Sequence, residues 1–232
     1  MKNNWHKFKI SKNGFTLAEV LITLVIIGVV AALTIPTAIN KMQDQERKTQ
    51  FAKAYSSFSQ ALRKTVMNDF YGYVRCAYYW DVSTGSYDFS KTETSDCRAF
   101  YDAFAKNLSV QKICKGNSLA DGCIPVYKSI NPSSGCSGFS ENNVNNVNYS
   151  YVLSDGQIII TYGAGGGALF LFDINGHKGP NAYGKDMFAV NIANRSDNLS
   201  GYYLEPKYSC EFPVSGGKYT QEMMLYSLAG KK

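Results

Sequence analysis

One carboxylate, Glu19, stands inside an apolar run at residues 15–35 that carries no other charge. An acid there is costly on any membrane-insertion scale, so it marks a functional position by default. Its place near the start of the run softens that cost without giving a reason for its presence. The second group with chemistry is a set of six cysteines, Cys76, Cys97, Cys114, Cys123, Cys136 and Cys210. All follow the apolar run and none forms a CxxC pair. An even set on one side of a membrane anchor reads as up to three disulfides in an oxidising compartment. Zinc fits less well, because zinc sites favour close Cys pairs or Cys/His sets and the one histidine past the first dozen residues is His177. The third group is Asp173, Asn175 and Asp186, within a stretch dense in Asn, Gly and Pro. Its oxygens suit a hard cation such as calcium, but the spacing and the closing bidentate Glu of an EF-hand are absent. A pair of tight turns explains the same residues: Asn-Gly supplies positive φ and Asp caps. The turn reading is the one favoured.

Two weaker patterns fall away. Residues 163–168, GAGGGA, mimic a GxGxxA nucleotide loop, but that fingerprint needs a following helix and here the strand-like LFLF follows. His177 has no placed nucleophile, and no GxSxG elbow occurs. No enzyme is expected, and no cofactor other than the calcium candidate.

The elements that must position these groups begin with a basic leader. Residues 1–14 hold four lysines and no acid. Without them the 24 basic residues fall to 20 against 18 acidic, a net of +2 rather than +6. The basic balance is thus partly a property of the leader, and no clustered basic face for nucleic acid is evident. The 21 residues from Phe15 to Ile35 would span about 30 Å as a helix, the hydrocarbon thickness. A secretory signal has a shorter apolar core and a small-residue cleavage site. The lysines place the N-terminus in the cytoplasm and the remainder outside.

The octet Lys12-Asn13-Gly14-Phe15-Thr16-Leu17-Ala18-Glu19 resembles the signal of type IV pilins and type II secretion pseudopilins. The resemblance covers roughly the first 40 residues. It implies cleavage after Gly14 by a membrane aspartyl peptidase, methylation of the new N-terminus at Phe15, and an assembly role for Glu19, the fifth residue after the cut. Pro36 falls where many members carry a helix-kinking proline. Implied partners are other pilin or pseudopilin subunits, the prepilin peptidase, an inner-membrane assembly platform and, before assembly, membrane lipid. Nucleic acid is not expected.

Beyond Pro36 the helical pattern resumes. Phe51, Tyr55, Phe58, Leu62 and Val66 form one apolar stripe, so an amphipathic continuation is expected over 37–68. Residues 69–148 show little regular pattern apart from a short helix expected over 95–106. Residues 131–148 read as loop, and the cysteine-rich part reads as an insert stapled for want of a core. Strands are expected at 149–153 and 157–162, joined by a Ser-Asp-Gly hairpin, and at 168–174 and 187–192. A short helix is expected over 219–229. The fold class is therefore α+β: a long transmembrane-plus-amphipathic helix packed on a small antiparallel sheet. The divisions are 1–14 leader, 15–36 membrane or filament-core helix, 37–68 its continuation, and 69–232 an extracytoplasmic head. The expected function is a structural subunit of a pilus or secretion pseudopilus, moving from inner membrane to filament. The alternatives are a minor pilin for adhesion or DNA uptake, and a membrane-anchored enzyme.

Overall fold

The computed structural model describes residues 14–69, 79–81, 83–84, 86–88, 92–128, 139, 141–164, 167–194, 202–206, 211 and 213–229. They belong to two compact units, Met1–Gln45 and Glu46–Lys232.

Helix α1 (Leu17–Asp69) runs for 53 residues with Pro36 inside it. In the first unit its residues are solvent-facing from Leu17 to Gln43, with only Ala31 partly covered. Its most apolar 18 residues have a mean hydropathy of 2.6 and none is buried, so it is long and apolar enough to cross a membrane. Pro36 lacks an N–H and so removes one helical hydrogen bond. Side-chain hydroxyls reinforce the neighbouring turns: Thr34 Oγ1 donates to the Val30 carbonyl at 2.9 Å and Thr37 Oγ1 to that of Leu33 at 3.4 Å.

In the second unit α1 acquires a buried stripe, Phe51, Ala54, Phe58, Ala61, Leu62, Thr65 and Val66. The spacing of three and four keeps these on one helix face. That face meets helix α2 (Thr92–Lys106), which contributes Cys97, Phe100, Tyr101 and Phe104, and helix α3 (Thr220–Ala229), which contributes Met223 and Met224. A short hairpin pairs β1 (Tyr79–Asp81) with β2 (Ser86–Asp88). The main sheet is an antiparallel meander of β3 (Val110–Lys115), β4 (Tyr149–Leu153), β5 (Ile158–Ala164), β6 (Gly167–Asp173), β7 (Met187–Asn194) and β8 (Tyr202–Pro206), in that order.

Both faces of this sheet are covered. Tyr151, Ile159, Phe170, Phe172, Phe188 and Val190 point to the helices. Ile158, Ile160, Leu169, Leu171 and Ala189 point the other way, onto Cys114, Cys123, Ile124, Tyr127, Phe139 and Val144. Alternate side chains of one strand therefore enter two cores, which is why III (158–160) and LFLF (169–172) are continuously apolar.

The α+β architecture is the expected one, and the expected strands differ from β4–β7 by at most two residues at an end. The segment read as patternless needs correction. It holds β1, β2 and β3, and residues 143–147, read as loop, form a π-helical turn. Strand β8 was also not anticipated. The second compact unit takes in residues 46–69 of α1, because the stripe that fills its core lies there.

Phe58 meets Phe104, Phe170 and Phe172 at ring-centroid distances of 5.3, 4.9 and 4.7 Å. Phe58→Ala should lower the stability of the head by about 3–5 kcal/mol, measured by urea unfolding of residues 46–232. A loss below about 1 kcal/mol would mean that α1 is not the keystone of this core.

Candidate functional site

The chain enters α1 through Thr16, the residue before the first helical turn. Glu19 Oε2 accepts from the Thr16 backbone N–H at 2.8 Å and from Thr16 Oγ1 at 2.7 Å. The Glu19 N–H donates back to Thr16 Oγ1 at 3.3 Å. This is a reciprocal capping box, T-x-x-E, which satisfies donors that a helix start leaves open. It supplies the local reason for Glu19 that the apolar run lacks. The sequence carries its signal, Thr16 followed three residues later by Glu19 before an apolar run. Thr16 is thus a site residue that the motif reasoning missed. Phe15, the residue after the expected cut, is 88% exposed, and a side chain at Gly14 would meet nothing.

Among the cysteines, Cys114 on β3 is bonded to Cys123, the local pair that loop closure favours. Cys97, buried in α2, is disulfide-bonded as well. Cys76, Cys136 and Cys210 lie outside the described residues. His177 is exposed. Residues 163 and 168, and 164 and 167, are paired across β5 and β6, so the glycine-rich stretch joins two strands and no phosphate-binding helix follows it.

Asp173, Asn175 and Asp186 are brought together in the β6–β7 connection. Asp173 Oδ1 accepts from the N–H groups of Asn175 at 3.2 Å and Gly176 at 2.7 Å, and its Oδ2 accepts from the Tyr127 hydroxyl at 2.8 Å. Asp186 accepts from the N–H groups of Asn181 and Ala182, both at 2.7 Å. Asn175 Nδ2 donates to the Gly179 carbonyl at 3.4 Å, while its buried Oδ1 has no donor among the described residues. Gly176 (φ 65°) is required here: a Cβ would collide with the Gly156 carbonyl. Tyr127 is the second missed residue. Its hydroxyl fastens the cover of the second sheet face to this connection, and nothing in the local sequence announces it.

A buried polar network of the same kind holds the start of α3. Glu211 accepts from the Tyr183 hydroxyl at 2.6 Å and from both Thr220 N–H and Thr220 Oγ1. Burial, with the carboxylate of Glu211 beside it, raises the Tyr183 hydroxyl well above its usual range.

Asp173 is 1% exposed. Burial pushes its carboxyl up to about 8, with Asp186 adding repulsion and its hydrogen bonds opposing the rise. Burial likewise raises Asp186. A carboxyl raised from 3.8 binds its proton more tightly folded than unfolded. Its contribution is therefore full below about pH 4 and lost as pH rises through about 8. The head should lose on the order of a few kcal/mol between pH 5 and 8 from this group. Asp173→Asn keeps an acceptor for the two N–H groups and cannot ionise, so it should flatten that slope. Chemical denaturation at several pH values reads it, and an unchanged slope in the variant would show that Asp173 is ionised in the fold.

Comparison with family models finds the prokaryotic N-terminal methylation motif at residues 10–35. No curated protein and no solved structure matches the chain. The motif covers the Gly14–Phe15 junction, the Thr16–Glu19 box and the apolar turns up to Ile35. The chain therefore carries at its N-terminus the signature of type IV pilin and pseudopilin precursors.

Proposed function

We propose that this chain is a structural subunit of a type IV pilus-like filament or a type II secretion pseudopilus. A prepilin peptidase cuts it after Gly14 and methylates Phe15. The mature chain waits in the inner membrane as a single-pass protein with its head outside, then enters a filament through α1 with other subunits at an assembly platform. One observation carries the reading: the Thr16–Glu19 box opens a helix that is uncharged from Val20 to Asn40 and solvent-facing throughout but for Ala31. A surface so apolar requires lipid or other helices around it. The disulfides suit an oxidising compartment. The role is structural rather than catalytic, and the motif itself belongs to structural proteins.

Two variants separate the roles of Glu19. Glu19→Gln keeps an oxygen for the capping box and removes the charge, whereas Glu19→Val removes both. Both should insert, be cut, and yield a mature chain whose mass begins at N-methyl-Phe15. Both should fall about tenfold or more in sheared filaments relative to the membrane pool. Normal incorporation of the valine variant would sink the assembly role; normal incorporation of the glutamine variant alone would assign Glu19 to the cap and not to its charge.

The proposed function needs no cofactor, and the Asp173 and Asp186 carboxylates act as turn acceptors. Calorimetry of the head with calcium and with chelator should give the same melting temperature. A drop of several degrees on chelation would instead make Asp173, Asn175 and Asp186 cation ligands, since a ligand bound only to the native state stabilises it.

A further inference from the structure

Two Asn-Gly pairs occur in the chain, Asn13-Gly14 and Asn175-Gly176. The first lies in the leader that the proposed cut removes. The second sits in the β6–β7 connection. Asn-Gly is the pair most prone to deamidate, because glycine has no side chain to shield its nitrogen. The Gly176 nitrogen loses its proton and attacks Cγ of Asn175. A five-membered imide forms, the Cγ–Nδ2 bond breaks, and Nδ2 leaves as ammonia with the proton that Gly176 gave up. Water then opens either carbonyl of the ring and leaves aspartate or isoaspartate.

Each step needs something that this turn withholds. The Gly176 N–H is buried and donates to Asp173 Oδ1 at 2.7 Å. A base in solvent therefore has no access to the proton whose loss starts the reaction. Asp173 is itself buried, and the Tyr127 hydroxyl at 2.8 Å holds its other oxygen. The charge that gathers on Asn175 Oδ1 during the attack calls for a hydrogen-bond donor. That oxygen is buried and has no donor among the described residues. The leaving Nδ2 faces the Gly179 carbonyl at 3.4 Å, an acceptor that cannot protonate it.

The backbone of the pair is fixed as well. The Asn181 amide, oriented to donate, reaches the Gly176 and Lys178 carbonyls at 3.2 and 3.0 Å. The Gly156 carbonyl packs so closely on Gly176 that no Cβ fits between them.

We propose that Asn175-Gly176 is a deamidation site that the fold keeps latent, with the Asp173 carboxyl as its guard. Local opening of a connection exposes what the closed form protects, and here the product resists closing again. Aspartate at position 175 adds a third carboxyl to the cluster of Asp173 and Asp186, which already repel one another. Isoaspartate lengthens the backbone of a turn that Gly156 leaves no room to widen. Opening is thereby recorded as a covalent change in the head.

The test uses the full chain, purified in detergent and held at neutral pH. Mass spectrometry of the peptide that contains residues 175 and 176 follows its conversion. Folded wild type should deamidate slowly, and the same chain in urea about tenfold or more faster. Asp173→Ala frees the Gly176 N–H and should close much of that gap while its circular dichroism stays native. Asp173→Asn keeps an acceptor and should remain slow. Equal rates in folded Asp173→Ala and wild type would overturn the proposal. A slower rate in Asp173→Ala would make Asp173 the base that starts the reaction, and would overturn it as well. Hydrogen exchange of the wild type gives a reading that does not depend on any variant folding. The Gly176 amide should be among the protected ones, and exchange as fast as in urea would leave the site without its guard.

Discussion

The ring of Phe58 is shared between the two elements that the head must join. It lies 4.7 Å from Phe172 and 4.9 Å from Phe170 on the sheet, and 5.3 Å from Phe104 on α2. About two turns earlier Phe51 meets Phe188 edge-on at 5.1 Å. Aromatic pairs in this range favour tilted and T-shaped packing, and these pairs fix which side of α1 faces the sheet. Everything else on the helix side is arranged around that choice. α2 and α3 flank α1, and Gln157 Nε2 reaches back to the Gln50 carbonyl at 3.2 Å. The head therefore cannot complete its core without residues 46–69 of the helix. The first part of the same helix buries none of its most apolar residues within the chain. One element thus serves as keystone where its pattern is amphipathic and, on the proposed reading, as anchor where it is uniformly apolar.

How much of this was legible depends on whether a residue's environment is encoded near it. The stripe Phe51–Phe58–Leu62–Val66 announces a half-buried helix by spacing alone. The strands β4 to β7 announce themselves by apolar runs between turn residues. β3 does not, because among VQKICK only Cys114 is buried, and an edge strand needs no apolar alternation. β8 is a second edge strand, ends in Pro206 and is five residues long. Proline at such a place is compatible with an edge and argues against strand when read locally. The cover of the second sheet face was illegible for another reason. Tyr127, Phe139 and Val144 are buried by strands more than ten residues away in sequence, and no local period records that.

The β6–β7 connection shows the same divide within one motif. The Asx turn at Asp173 and the cap at Asp186 follow from residue types and from Asn-Gly geometry. The Tyr127–Asp173 bond does not, being a contact across 46 residues. Yet that bond explains why the motif is buried rather than solvated. It couples the segment just after the Cys114–Cys123 disulfide to the turn, and Lys128 and Asn181 continue the link through a backbone hydrogen bond of 2.8 Å. The disulfide staples a segment that has a core of its own, to which Cys114 and Cys123 both belong.

At the other end of the chain the same logic of local satisfaction applies to Glu19. A carboxylate in an apolar helix would be expected to seek a partner at any distance, yet here Thr16 engages one of its oxygens within the chain. The Glu19 oxygen Oε1 makes no hydrogen bond among the described residues, so the side chain is half satisfied. On the proposed reading, cleavage creates a cationic amine at Phe15, one residue from Thr16. The uncommitted oxygen then has a charged donor to find, its own or that of a neighbouring subunit. In a low-dielectric bundle an unpaired charge is penalised far more than in water, so helices that place the two groups together are favoured over other registers. Thr16 holds the carboxylate at the helix start, which on the proposed reading is where the amine forms and lipid lies beside it. On the proposed reading, capping and register selection are sequential uses of one side chain, the first preparing the geometry for the second.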